Sequence, residues 1–185
     1  DIGYDNIGTV EMLRDRHGNY SFLEMNTRLQ VEHGVSEEIT GVDLVEAQIR
    51  SAFGEELSQI IQKPIKNQGH AIEVRIYAED PKTFFPSPGK LTTFSVPKID
   101  GVRVETGFAQ GTTISPFYDP MLAKVIAHST TRKEAITQLL TALKNFKIAG
   151  IKTNIPFLID VLNSKKYQIG QLDTSFVKEF LKNNI

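Results

Sequence analysis

The chain has 185 residues, 21 basic and 22 acidic, for a formal net charge of −1, with no cysteine and no tryptophan. Balanced charge removes the electrostatic case for a nucleic-acid or membrane-surface partner, and zero cysteine excludes disulfides, thiolate metal sites and a cysteine nucleophile. With 40% hydrophobic and 23% charged residues the composition is that of an ordinary globular protein, and no apolar run reaches the ~18 residues of a membrane span. The sequence opens on Asp1 without a signal-peptide pattern, and a strand pattern starts within about seven residues, so a portion of a longer chain is expected.

Residues 7–13 and 20–26 alternate in part and flank a polar segment containing Gly18, which predicts a β-hairpin. A helical stretch follows over about 36–53, with Ser36 as N-cap, a break at Gly41, a second cap at Asp43 and a stop at Gly54. From Gln68 to about His128 the pattern is of strands: 71–77, then 90–96, 101–106 and 121–127, after a Pro-rich loop at 81–89 that should bury Phe84 and Phe85. Residues 131–146 read as an amphipathic helix capped by Thr130 or Thr131, and shorter helices are expected near 154–163 and 174–183. Strands first and helices later predict an α+β fold with antiparallel pairing.

The hairpin carries the sharpest inference. With His17 and Gly18 as the two turn residues, Glu11 faces Glu24 and Leu13 lies beside Phe22, while Val10, Met12, Leu23 and Met25 share the opposite face. Two carboxylates placed opposite each other repel unless something compensates, and Asn26 continues the same polar face. Two carboxylates and an amide oxygen form a hard donor set suited to Mg²⁺ shared with phosphates; a solvated face carrying two tolerated acids is the alternative. If the chain stays extended, Arg28, Gln30 and Glu32 join that face, adding an anion-binding guanidinium and a carboxylate able to act as a base. A salt-bridged stripe is the plainer reading. His33, with no second histidine at ligand spacing, reads as a hydrogen-bonded structural residue.

The runs Glu24-Met-Asn-Thr-Arg-Leu-Gln-Val-Glu-His33 and Ile39-Thr-Gly-Val-Asp-Leu44 resemble the core of biotin carboxylases, members of the ATP-grasp superfamily. Gly69–Pro81, Phe85-Pro-Ser-Pro-Gly89, Phe117-Tyr-Asp-Pro-Met121 and Gly150-Ile-Lys-Thr-Asn154 are similar to the same family in the same order. The resemblance implies the C-terminal half of an ATP-grasp core over residues 1–66 and the biotin carboxylase C-terminal domain over 67–185, mainly antiparallel sheet with flanking helices. It implies that Glu11, Glu24 and Asn26 bind Mg²⁺ or Mn²⁺ with ATP. Arg28, Gln30 and the backbone N–H of Val31 would hold bicarbonate, and Glu32 would be its general base. Arg75 would stabilise the biotin enolate, and Leu13 would line the adenine pocket beside Asp173, Thr174 and Ser175. Taken on its own, Arg75 reads as a strand residue paired with Glu73 or Glu79.

The implied partners are ATP, bicarbonate, biotin on a carrier protein or domain, a carboxyltransferase component and a second copy in a homodimer. The implied compartment is the cytoplasm, or the mitochondrial matrix in a eukaryote. Asp119 reads as structural or interfacial, and Arg103 could join a dimer contact, although Asp100 stands where the bacterial subunit type has an aromatic. Gly34 replaces the proline of many family members, which leans toward the acyl-CoA and urea carboxylase branches. No Gly-rich phosphate loop is present, so the isolated chain is expected to be inactive. The alternatives are an ATP-grasp ligase with another carboxyphosphate acceptor, as in carbamoyl-phosphate synthesis, and a non-catalytic assembly domain.

Overall fold

The computed structural model describes residues 3–61 and 64–184. The chain is α+β and divides into two compact units, Asp1–Gln68 and Gly69–Ile185.

The first unit holds the hairpin β1 (Thr9–Arg14) and β2 (Tyr20–Asn26), then α1 (His33–Thr40), α2 (Leu44–Ala52) and the short α3 (Leu57–Ile60). The hairpin forms, but its turn is not the predicted two-residue one. Asp15 N–H donates to Asn19 O at 3.0 Å and Gly18 N–H to Asp15 O at 3.1 Å, enclosing Arg16, His17 and Gly18. Asp15 Oδ1 also accepts from the N–H groups of His17 (2.8 Å) and Asn19 (2.9 Å), and Gly18 takes φ +90°, a conformation costly for any residue with a Cβ. The odd loop moves the register by one: Leu13 pairs with Ser21 rather than Phe22, and Met12 with Phe22. A bulge between Glu11 and Met12 restores the predicted pairs, Glu11 with Glu24 and Val10 with Met25.

Beyond Asn26 the chain does not stay extended, which corrects the expectation for Glu32. It turns at residues 31–32, where His33 N–H reaches Gln30 O (3.3 Å) and Val35 N–H reaches Glu32 O (3.2 Å). The helix therefore starts at His33 with Glu32 at the N-cap, and Ser36 lies inside it, its carbonyl accepting from Thr40 Oγ1. Gly41 ends α1 and Asp43 caps α2 through Glu46 N–H at 2.8 Å, both as expected.

The second unit contains β3 (His70–Tyr77), β4 (Gly89–Lys90), β5 (Thr93–Ser95), β6 (Val102–Glu105), β7 (Thr113–Ile114) and β8 (Met121–Ser129). After them come α4 (Arg132–Asn145), β9 (Lys147–Ala149), α5 (Ile155–Asn163), α6 (Lys165–Gln168) and α7 (Phe176–Asn184). The central sheet has the antiparallel order β3-β8-β6. Its period-2 pattern sorts Ile72, Val74, Ile76, Ala123, Val125, Ala127, Val102 and Val104 onto one face, which packs on Leu139 and Leu143 of α4. The other face carries Glu73, Arg75, Lys124, Ile126, Arg103 and Glu105. Helix α4 begins with a full capping box between Thr131 and Glu134.

The strand expected over 90–96 is split. Leu91 turns wholly into the core, leaving β4 to pair with β7 and β5 with β9. Gly150 is required here: it has φ +96°, and a Cβ on it would lie 2.0 Å from Lys90 O. The proline loop also departs from expectation. Phe84 is half-buried and packs edge-on against Phe157 at 5.0 Å, but Phe85 is 72% exposed, because Phe84 at φ +58° turns the two side chains apart.

Candidate functional site

Hairpin pairing sets Glu11 opposite Glu24, and Asn26, two residues on, projects to the same side. Asn26 Nδ2 donates to Glu11 Oε1 at 2.7 Å and to Glu24 Oε1 at 3.3 Å, which relieves the repulsion between the carboxylates. The residues that follow β2, ahead of the turn at 31–32, reach the same pair. Gln30 Nε2 donates to the same Glu11 Oε1 at 3.0 Å, while Arg28 Nη1 donates to Gln30 Oε1 (2.9 Å) and Leu29 O (3.2 Å). Arg28 Nη2 donates to Asn26 Oδ1 at 3.3 Å. Five of the residues predicted for the site, Glu11, Glu24, Asn26, Arg28 and Gln30, thus form one hydrogen-bonded group.

The donor set fits a hard divalent cation. Two carboxylates bonded to one amide nitrogen present oxygen ligands of the kind Mg²⁺ and Mn²⁺ prefer, too few for an all-protein cage and suited to a cation shared with phosphate oxygens. The described residues contain no group of three or more His, Cys, Asp or Glu placed to hold a metal ion.

Glu32 is exposed at the start of α1, with Val31 half-buried beside it in the turn. His33 is structural, as expected: its Nδ1 lies 3.0 Å from Glu37 Oε1, with side chains only 10% and 5% exposed. Glu37 Oε1 also accepts Leu44 N–H at 2.9 Å, so one buried carboxylate ties the start of α1 to the start of α2. Sequence reading missed Glu37; its one sign was an acid at i+4 from a histidine. Leu13 sits on β1 and is 58% exposed.

In the second unit, Arg75 lies on β3 with Nε 3.7 Å from Glu73 Oε1, one of the two partners that the plainer reading named. It is the first member of a cross-strand row, Arg75–Lys124–Glu105, in which Lys124 Nζ lies 2.6 Å from Glu105 Oε2 and Arg103 bonds Glu105 Oε1. Burial pushes the Glu105 carboxyl up, but Lys124 and then Arg103 outweigh it and hold the group below its ordinary value. Lys124 is buried, its side chain 10% exposed.

The backbone that carries Arg75 is fixed by Asn154, a buried residue of the Gly150–Asn154 run to which sequence reading assigned no role. Asn154 Oδ1 accepts Tyr77 N–H at 2.9 Å, and its Nδ2 donates to Arg75 O at 3.1 Å. Asn154 N–H donates to Tyr77 O at 3.2 Å, next to the irregularity between Ile76 and Tyr77. Thr174 and Ser175 precede α7, where Asp173 Oδ1 accepts both Ser175 N–H (2.8 Å) and Ser175 Oγ–H (2.7 Å). These bonds from Ser175 hold the Asp173 carboxyl below its ordinary value.

Residues 73–179 match the biotin carboxylase C-terminal domain, and residues 1–60 match the ATP-binding domain of the carbamoyl-phosphate synthase L chain. The chain belongs to the biotin carboxylase family. It is 57% identical over 180 residues to biotin carboxylase 2 of Bacillus subtilis, an alignment covering 97% of this chain and 40% of that protein. It is 56% identical over 181 residues to the biotin carboxylase of Halalkalibacterium halodurans, with 98% of this chain and 40% of that protein covered. The biotin carboxylase domain dimer of Hydrogenobacter thermophilus 2-oxoglutarate carboxylase, solved with MgADP, ADP and bicarbonate, superposes with a TM-score of 0.92. Its identity is 44%, with 96% of this chain and 39% of that chain covered. The chain thus spans about two fifths of the length of these biotin carboxylases. No helix among its described residues is long and apolar enough to cross a membrane.

Proposed function

We propose that the full-length protein carrying this chain is an ATP-dependent biotin carboxylase, and that residues 1–66 and 67–185 supply the end of its ATP-grasp domain and its C-terminal domain. The observation that carries the reading is the pairing of half-sites in the first unit. A guanidinium for an anion and two carboxylates for a cation stand one amide apart. ATP-driven bicarbonate activation needs that juxtaposition, because a bicarbonate oxygen must meet a phosphorus whose charge is neutralised.

In this reading Glu11, Glu24 and Asn26 hold Mg²⁺ or Mn²⁺, which when bound neutralises phosphate charge during transfer. Arg28, Gln30 and Val31 N–H hold bicarbonate, and Glu32 removes its proton. A carbonate oxygen then attacks the γ-phosphorus, the bond to the β–γ bridging oxygen breaks, ADP leaves, and carboxyphosphate remains. Carboxyphosphate splits into CO₂ and phosphate, the phosphate takes the ureido N–H proton of biotin, and the resulting nitrogen captures CO₂. Arg75 stabilises the negative charge on the ureido oxygen, a task suited to a group that stays charged and presents fixed donors. In the first unit, Leu13 on β1 is the residue assigned to the adenine.

The partners proposed are a biotin carrier, a carboxyltransferase component and a second copy of the chain, as in the dimeric relative. The compartment is the cytoplasm, or the mitochondrial matrix if the source is a eukaryote. The test is ADP release by the full-length protein with ATP, Mg²⁺ and ¹⁴C-bicarbonate. Stimulation by biotin with label recovered on biotin supports the reading. Stimulation by ammonia instead would favour the carbamoyl-phosphate-type acceptor, which the match over residues 1–60 keeps as the second reading.

A further inference from the structure

We propose that Asn26 and Gln30 form a two-amide latch that makes cation occupancy and bicarbonate occupancy of this site reinforce each other. The inference rests on the function proposed above and extends it to the order in which the site fills.

Amide orientation in the latch follows from chemistry. A guanidinium only donates and an ionised carboxylate only accepts, so each bridging amide must turn its oxygen to Arg28 and its nitrogen to the carboxylates. Both do: Arg28 Nη1 bonds Gln30 Oε1 at 2.9 Å and Gln30 Nε2 bonds Glu11 Oε1 at 3.0 Å. On the parallel path Arg28 Nη2 bonds Asn26 Oδ1 at 3.3 Å, and Asn26 Nδ2 bonds Glu11 Oε1 at 2.7 Å and Glu24 Oε1 at 3.3 Å. The two half-sites therefore satisfy each other. The guanidinium edge that would grip an anion is turned to two amide oxygens, and one carboxylate oxygen that would ligate a cation already accepts two N–H donors.

Glu11 Oε1 already accepts two N–H donors, so coordination of a cation through both Glu11 oxygens displaces them. Once Glu11 commits to the cation, the amides lose their acceptor and their hold on Arg28 weakens, which turns Nη1 and Nη2 toward the paired oxygens of an incoming anion. An anion that takes the guanidinium edge loosens the amides from Glu11 in the same way. Linkage requires the two effects on affinity to be equal. Asn26 moves from bridge to ligand in this scheme by presenting Oδ1 instead of Nδ2, whereas Gln30 moves from Glu11 to the anion.

Simple attraction between a bound cation and an anion also produces coupling, so the decisive quantity is cation affinity without bicarbonate. Gln30→Leu removes one donor from Glu11 and changes no charge. The latch predicts tighter cation binding in the variant; a residue that served only as a bicarbonate contact would leave it unchanged.

The experiment is a water-proton relaxation titration of Mn²⁺, with ADP present, on the full-length protein with and without saturating bicarbonate. Wild type should bind Mn²⁺ at least threefold more tightly when bicarbonate is present. Gln30→Leu should bind Mn²⁺ about three- to tenfold more tightly than wild type in the absence of bicarbonate, the net scale of one hydrogen bond. Bicarbonate should then improve its binding by less than about twofold. Gln30→Met, of similar volume, should repeat the result, and thermal melts in metal-free buffer establish that each variant is folded. Equal or weaker Mn²⁺ binding in folded Gln30 variants without bicarbonate would overturn the latch while leaving the proposed function standing. Unchanged Mn²⁺ binding in Glu24→Gln would overturn the assignment of the cation site, and the latch with it.

Discussion

Asn154→Ala should be among the most damaging single substitutions in the second unit. The side chain is 6% exposed and makes two hydrogen bonds to the main chain at the end of β3, one to Tyr77 N–H at 2.9 Å and one to Arg75 O at 3.1 Å. Removing it strands one buried donor and one buried acceptor. At about 1–3 kcal/mol for each such group, and with one relieved in part by entering water, the expected loss is about 2–4 kcal/mol. The assay is urea denaturation followed by circular dichroism, with Asn163→Ala as the matched control. The Asn163 side chain donates to Ile159 O at 2.8 Å on an exposed helix face, and its replacement should cost no more than about 0.5 kcal/mol. Asn154→Asp keeps the acceptor for Tyr77 but sets a carboxylate oxygen against Arg75 O, so it should not recover wild-type stability. If Asn154→Ala and Asn163→Ala cost the same within error, the clamp is not what holds the end of β3. The clamp also sets the backbone from which Arg75 projects, so in the full-length protein the same change should lower biotin-dependent turnover more than the bicarbonate-dependent ATP cleavage that occurs without biotin.

Gly150→Ala should cost more than about 3 kcal/mol, because its φ of +96° is compounded by a Cβ 2.0 Å from Lys90 O; Gly41→Ala, with φ +71° and nothing within 4 Å, should cost only about 1–2 kcal/mol. Thermal melts of the two variants separate backbone strain from steric clash. Glu105→Gln removes the carboxylate 2.6 Å from Lys124 Nζ. Glu105 is held below its ordinary value of 4.5, so its contribution is present above that pH and is lost as pH falls through the folded-state value. The variant should therefore be destabilised on the order of 1–2 kcal/mol at pH 7, discounted for partial exposure, and converge with wild type as pH falls below the ordinary carboxylate range. A cost that does not vary with pH would contradict the pairing. Glu37→Gln should destabilise the first unit by about 1–2 kcal/mol, since an amide oxygen can still accept Leu44 N–H but no longer carries charge beside His33. Equal melting of this variant and wild type would remove Glu37 as the tie between α1 and α2.

What the sequence made legible and what it hid divide along physical lines. Long periodic elements were readable: α4 has Thr131 and Glu134 as an N-terminal signature and an apolar stripe of Ala135, Ile136, Leu139 and Leu143. The Glu11–Glu24 pair was predicted correctly because the bulge between Glu11 and Met12 cancels the one-residue shift that the larger loop introduces. The turn itself was misread. Asp15 bonds both His17 and Asn19 and enlarges the loop by one residue, and the bulge that absorbs the extra residue leaves no mark in the alternation. The early start of α1 was hidden for a similar reason, since Glu32 makes no side-chain cap and Ser36 looked the better one. Strands β4, β5, β7 and β9 are two or three residues long, below the length at which a period of two can be recognised. Asn154, Lys124 and Glu105 act through contacts distant in sequence, Asn154 some 79 residues from Arg75, and no local pattern announces them.

The central claim, that the full-length protein activates bicarbonate by phosphorylating it, is tested most directly by the fate of bicarbonate oxygen. Turnover with ¹⁸O-labelled bicarbonate, ATP, Mg²⁺ and biotin should yield inorganic phosphate bearing one ¹⁸O atom, because the oxygen that attacks phosphorus stays with it when carboxyphosphate releases CO₂. Glu32→Gln should slow appearance of that labelled phosphate by about 10²–10⁴-fold. Phosphate released without label from ¹⁸O-bicarbonate would mean that water, not bicarbonate, attacks ATP, and would contradict the account.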